Sequence, residues 1–162
     1  MPDNHLAAYL NDHLAGSVMA VDLLAQLEET HAGTEIARVL TGLRADIEAD
    51  RRELKILMNK LKITESRPRK ATAWLTAKLA ELKLRVEDKK GGPLRLLESV
   101  EAVALGIDGK LALWRSLAAA AELAAELRGV DYERLGQRAQ AQRRRIEEIR
   151  LTAARAALVS KP

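Results

Sequence analysis

An all-α fold, with four long helices in one bundle, is what this sequence predicts. Ala, Leu, Glu, Arg and Lys dominate its 162 residues, aromatics are 2% and Phe is absent. Strong helix formers are therefore abundant, while side chains that favour strands are scarce. The chain also repeats itself. Ile47 to Leu54 (IEADRREL) reads against Ala139 to Ile146 (AQAQRRRI) at an offset of 92 residues, with Leu43 answering Leu135 and Leu57 answering Ile149. Leu14 to Leu24 (LAGSVMAVDLL) reads against Ile107 to Leu117 (IDGKLALWRSL) at an offset of 93. A repeated helix pair implies two related hairpins about an internal pseudo-twofold.

The first helix is expected from about Asn4 to His31, capped by Asp3 or Asn4 and stopped at Gly33. Thr34 caps the second, whose apolar stripe is Ile36, Leu40, Leu43, Ile47, Leu54, Leu57 and Leu61. Those intervals place one face of a helix against a core. The Ala32–Gly33 turn is short, so the two helices must be antiparallel neighbours. Ser66 and Pro68 break the pattern, and Trp74, Leu75, Leu79, Leu82 and Val86 outline a shorter amphipathic helix that ends near Lys89 to Gly92. A connection this long can travel the length of a bundle at about 1.5 Å per helical residue. The third helix starts at Pro93, a favoured first-turn position, and runs to about Arg128 with a stripe through Leu96, Val100, Val103, Ile107, Leu111, Trp114, Leu117 and Ala121. Gly129 stops it. Asp131 caps the last helix, which carries Leu135, Ala139, Ile146, Ile149 and Ala153. The expectation is one domain over 1–162: a hairpin at 4–62, a crossover with a short helix at 63–92, and a hairpin at 93–158. Its topology is up-down-down-up.

Several function classes are excluded or weakened by composition. Without cysteine there are no disulfides, thiolate metal sites or cysteine nucleophiles. The N-terminal stretch MPDNHLAAYLNDH has neither a basic start nor a long apolar run, so it does not read as a signal peptide. No apolar run reaches the roughly 20 residues that span a bilayer, and a cytoplasmic location is the expectation. Lys and Arg number 27 against 23 Asp and Glu, a net charge of +4 that argues only faintly for a polyanion partner. Arg143 to Arg145 and the Arg67, Arg69, Lys70 cluster are interspersed with acids, and stacking aromatics are scarce, which argues against nucleic acid.

Two related hairpins joined by a long crossover resemble the ferritin-like superfamily. Iron-handling members of that superfamily carry a Glu on the first and third helices and a Glu-x-x-His pair on the second and fourth. The likeness here covers nearly the whole chain but not those ligands. All three histidines, His5, His13 and His31, precede residue 32. Ile47, Asp50 and Arg51 in one copy, and Ala139, Gln142 and Arg143 in the other, stand where such motifs would sit. Gly16 and Gly109 occupy the mid-helix positions of the single carboxylates. The resemblance thus implies the fold without the iron chemistry, and no cofactor is expected.

One Glu-x-x-His does occur, Glu28 with His31, and it is the alternative metal pair. It has no twin, and His31 equally suits a helix C-terminus, whose partial charge is negative. His5, Tyr9, Asp12 and His13 share a face of the first helix and form a second candidate ligand group. Gly16 and Gly109, at matching repeat positions, are expected to allow close contact between the first and third helices, with a small-ligand gap as the other reading. Asp50 and Gln142 interrupt apolar stripes at equivalent positions, so a buried polar layer is expected, completed by Arg51 or Glu101. A catalytic role for Asp50 is the competing reading, but no partner acid, base or nucleophile accompanies it. Glu101, Asp108 and Arg115 recur every seventh residue of the third helix, as a solvated edge or a row of ion pairs would.

The functional expectation is a non-enzymatic ferritin-like bundle, acting as a structural or protein-interaction module with an unidentified protein partner. A homodimer contacting through Trp74 and the crossover is one form of it. The alternatives are a metal-binding or stress-related ferritin relative with unusual ligands, and a weakly basic bundle associated with nucleic acid.

Overall fold

The computed structural model describes residues 4–66, 77, 81 and 92–159, and every long element among them is helical. Helix α1 spans Asn4–Thr30, α2 Glu35–Lys60, α3 Gly92–Ala121 and α4 Tyr132–Leu158. The expected crossover helix around Trp74 to Val86, and the Arg67, Arg69, Lys70 cluster, lie outside the described residues, apart from Ala77 and Glu81.

Local chemistry sets most of the boundaries. Gly33 takes φ +80° between α1 and α2, a conformation that only glycine adopts cheaply. The Thr34 hydroxyl then accepts a hydrogen bond from the Ala37 N–H at 3.2 Å and caps α2. Asp131 does the same for α4, accepting from the Arg134 N–H at 3.0 Å. Each such cap is worth about 1 kcal/mol.

The end of α3 differs from expectation. The helix stops at Ala121 instead of near Arg128, and a single 3-10 turn follows at Ala125–Leu127. Alanine-rich sequence would continue the helix on propensity alone, so tertiary contacts must stop it. Leu127 is buried in the core, and its carbonyl accepts from the Tyr132 hydroxyl at 2.7 Å. The Arg128 side chain donates to the carbonyls of Ala121 and Glu122 at 2.9 and 3.0 Å, satisfying acceptors that a helix end leaves open.

The core falls into two apolar clusters. One combines the later half of α1 (Val21, Leu24, Leu27) with the first half of α2 (Leu40, Leu43, Ile47), the first half of α3 (Val100, Val103, Ile107) and the later half of α4 (Ile146, Ile149). The other joins Leu10 and Leu14 of α1 to Leu54 and Leu57 of α2, Leu113 and Trp114 of α3, and Tyr132 and Leu135 of α4. This sharing of halves means that α1 and α4 run one way and α2 and α3 the other. Burying each such Leu contributes roughly 2 kcal/mol over leaving it exposed. Between the two clusters, on the inner faces of α2 and α4, lie the buried polar residues Asp50 and Gln142.

Candidate functional site

Asp50 sits on the buried stripe of α2 and is 1% exposed, as is Gln142 on α4. The Gln142 amide donates to Asp50 Oδ2 at 2.7 Å. Lys110 of α3 reaches across the bundle and donates to the same oxygen at 2.6 Å and to Gln142 Oε1. The three polar ends thus close a ring of hydrogen bonds. Arg138 lies 2.9 Å from Asp50 Oδ1 as an ion pair, although its N–H is not aligned on that oxygen for a hydrogen bond. The expected completing groups are therefore corrected. Glu101 pairs with Arg150 at 3.4 Å on the outer seam, and the Arg51 side chain makes no hydrogen bond or ion pair with Asp50. Lys110 and Arg138 take their place. Burial pushes the Lys110 ammonium below its usual lysine range, with the Asp50 charge opposing the shift.

Beside this layer is a partly open cavity holding about 140 Å³ of free space between α1, α2 and α3. From α1 it is lined by Asp12, His13, Gly16, Ser17 and Ala20. From α2 come Ile47, Asp50, Arg51 and Leu54. From α3 come Val103, Ile107, Leu113 and Trp114, with Gly106, Gly109 and Lys110 between them, and Leu105, 63% exposed, at the rim. The wall is mostly hydrocarbon, with Asp12, Asp50, Arg51 and Lys110 as its charged residues.

The glycines explain the space. Gly16 and Gly109 line the same cavity, yet a Cβ built on either would meet nothing within 4 Å. The close helix contact expected at this pair is not made. The same is true of Gly106, one turn earlier on α3. Glycine inside a helix costs about 1 kcal/mol relative to alanine. Here that cost secures no packing and leaves room instead.

The cavity's titratable groups are in distinct states. The His13 imidazole stacks edge-on against Tyr9, with ring centroids 4.7 Å apart. Burial lowers its pKa below the usual histidine value, and the neighbouring Asp12 charge opposes this. A neutral ring at pH 7 follows. Asp12 is itself buried, at 8% exposed. Arg51 has no hydrogen-bond or ion-pair partner among the described residues. The Trp114 indole N–H is buried and also lacks an acceptor.

Other candidates resolve into ordinary contacts. Glu28 faces α2, where it takes hydrogen bonds from Arg44 at 2.6 and 3.2 Å and from Thr41 at 3.1 Å. His31 Nδ1 lies 2.9 Å from the Leu27 carbonyl, one turn back on its own helix. The two are thus held by different partners. His5 is exposed while His13 turns toward the cavity, and no group of three potential metal ligands occurs among the described residues. Asp108 joins Arg143 at 3.2 Å and Glu101 joins Arg150, so two charges of that α3 edge pair with α4, while Arg115 is exposed and makes no ion pair among the described residues. Arg143 also pairs with Glu147, and Arg145 pairs with Asp46, which leaves Arg144 as the unpaired member of that run. Among the described residues no helix is long and apolar enough to cross a membrane.

Lys110, Arg138 and Gly106 were not singled out from sequence. Lys110 was detectable: Val103, Ile107, Lys110, Trp114 and Leu117 step by four and three, which makes it a core-register lysine. Arg138 lies one turn before Gln142 on α4, and only the folded pairing shows its role. Comparison with known protein families, with characterised proteins and with solved structures finds no match.

Proposed function

We propose that the protein is a non-enzymatic, ferritin-like bundle of up-down-down-up topology that holds a small molecule between α1, α2 and α3. The observation that carries this reading is the trio Gly16, Gly106 and Gly109, each facing open space in the wall of one cavity. Two helices that give up stability at three positions without gaining contact are keeping a volume empty. Cavities between bundle helices are common places for small ligands, and an apolar space of about 150 Å³ accepts a benzene ring.

The polar layer favours binding over catalysis. Asp50 Oδ2 already accepts from Lys110 and Gln142, Oδ1 faces the Arg138 charge, and Lys110 is occupied by Asp50 and Gln142, so neither is offered as a free base or nucleophile. In the ferritin-like reading, this layer stands where relatives would place metal ligands, and it ties the two hairpins together. Benzene uptake, followed by ligand-observed NMR, tests the proposal. The wild-type protein should take up benzene, and a natively helical Gly109→Leu variant should not. Failure of wild-type uptake, or equal uptake by the filled variant, would sink it.

A second reading, a protein-interaction module in the form of a homodimer, is favoured by exposed Leu94, Leu158 and Val159, which are 50%, 69% and 68% exposed. The Glu101–Arg150 and Asp108–Arg143 pairs set an antiparallel register that brings the start of α3 and the end of α4 to the same end. Sedimentation of wild type against Leu158→Glu tests it, with dimer for the former and monomer for the latter expected.

A further inference from the structure

The cavity has a chemical preference as well as a size. Its wall is mostly apolar, so the body of any occupant must be hydrocarbon or aryl. Its charged groups are not all paired. Asp12 and Asp50 supply two negative charges, and Arg51 and Lys110 two positive ones. Lys110 is held by Asp50, which also pairs with Arg138 outside the cavity wall. Arg51 is left as a cation of the wall with no partner among the described residues.

Arg51 differs in this from the other arginines inside the bundle. Arg44, Arg138, Arg143, Arg145 and Arg150, the half-buried arginines of the packed faces, are all in ion pairs. Arg51 is half-buried too, and among the half-buried arginines of the described residues it alone has no partner. Its guanidinium is a planar fork of donors, matched in shape to a carboxylate. A guanidinium left at the edge of an apolar cavity gains most from an anion that also fills the space.

Building on the small-molecule reading above, we infer that the occupant is a small apolar carboxylic acid whose carboxylate is held by Arg51. Its body lies against Ile47, Leu54, Val103, Ile107 and Trp114. Asp12 faces the same space and limits the site to one acidic group, since a second would meet its charge.

A matched series separates this inference from the reading beneath it. Benzoate, benzamide and benzylamine share one aromatic body and differ in charge. Binding is read from Trp114 fluorescence in a Trp74→Phe background and checked by calorimetry at low salt. Benzoate should bind about tenfold more tightly than benzamide, the value of a hydrogen-bonded charge over a neutral group. Arg51→Gln should bring benzoate down to the level of benzamide and leave benzamide unchanged. Arg51→Glu should invert the order in favour of benzylamine. Equal binding of benzoate and benzamide, or preference of the wild-type protein for benzylamine, overturns the acid assignment and leaves the cavity reading standing. If none of the three binds, both fall. Far-UV circular dichroism confirms that each variant is folded.

Discussion

Gly16 and Gly109 lie in helix interiors where alanine would be about 1 kcal/mol better, and no neighbour obstructs a methyl group at either place. Gly16→Ala and Gly109→Ala should therefore each raise unfolding free energy by about 1 kcal/mol in urea titrations, while lowering benzene uptake. A destabilised variant would show that packing, and not open space, fixes these positions. Gain of stability with loss of binding is the trade expected where a site is kept at the expense of the fold. The glycine pair was legible in sequence because the repeat aligned its members. Its consequence was not, because spacing cannot tell a glycine that faces a neighbouring helix from one that faces open space. Asp50 and Gln142 were legible for the same reason. Lys110 escaped attention because a lysine reads by default as solvated, although its long stem can cross a bundle and deliver the charge to an interior carboxylate.

At the scale of helices, the seam between α3 and α4 is laced by Arg143 and Arg150, both of which bind Glu147. The Arg150 guanidinium, followed by that of Arg143, holds the Glu147 carboxyl down at about 2 from an ordinary 4.5. A carboxyl depressed in the folded state adds stability that is fully present above pH 4.5 and is lost as pH falls toward 2. The wild-type protein should lose stability across that interval, and Glu147→Gln should flatten that part of the curve in denaturant titrations at stepped pH. An unchanged acid limb would show that the Glu147 pairs within α4 add nothing to stability. The residues of this seam were readable, since the sevenfold spacing of Glu101 and Asp108 suggested an ion-pair row. Helix starts at Thr34 and Asp131 were equally readable, because capping is local chemistry. The end of α3 was not. Burial of Leu127 and the reach of Arg128 back to Ala121 and Glu122 decide it, and neither is visible in an alanine run.

Over the whole molecule, each apolar cluster draws side chains from all four helices. Neither hairpin owns a core. In α2, Leu40, Leu43, Leu54 and Leu57 bury against the mixed interior and would face water if the second hairpin were removed. The ring of Asp50, Lys110 and Gln142 likewise spans both halves, so separating them strands a carboxylate on one side and an ammonium on the other. The four-helix count was legible from periodicity and repeat, whereas this interdependence depends on which helix halves meet. It predicts the behaviour of fragments. Residues 1–66 and 92–162, produced separately and held monomeric at low concentration, should show weak helicity and no cooperative thermal transition, since short amphipathic helices need a partner face to persist. Mixed at equal concentration, they should recover helical circular dichroism and a single unfolding transition. Lys110→Met in the second fragment should weaken recovery by leaving Asp50 with only the Gln142 amide and the Arg138 charge. A cooperative transition in either fragment by itself would show that a hairpin carries its own core, and the bundle would then be two units in contact instead of one interior shared by four helices.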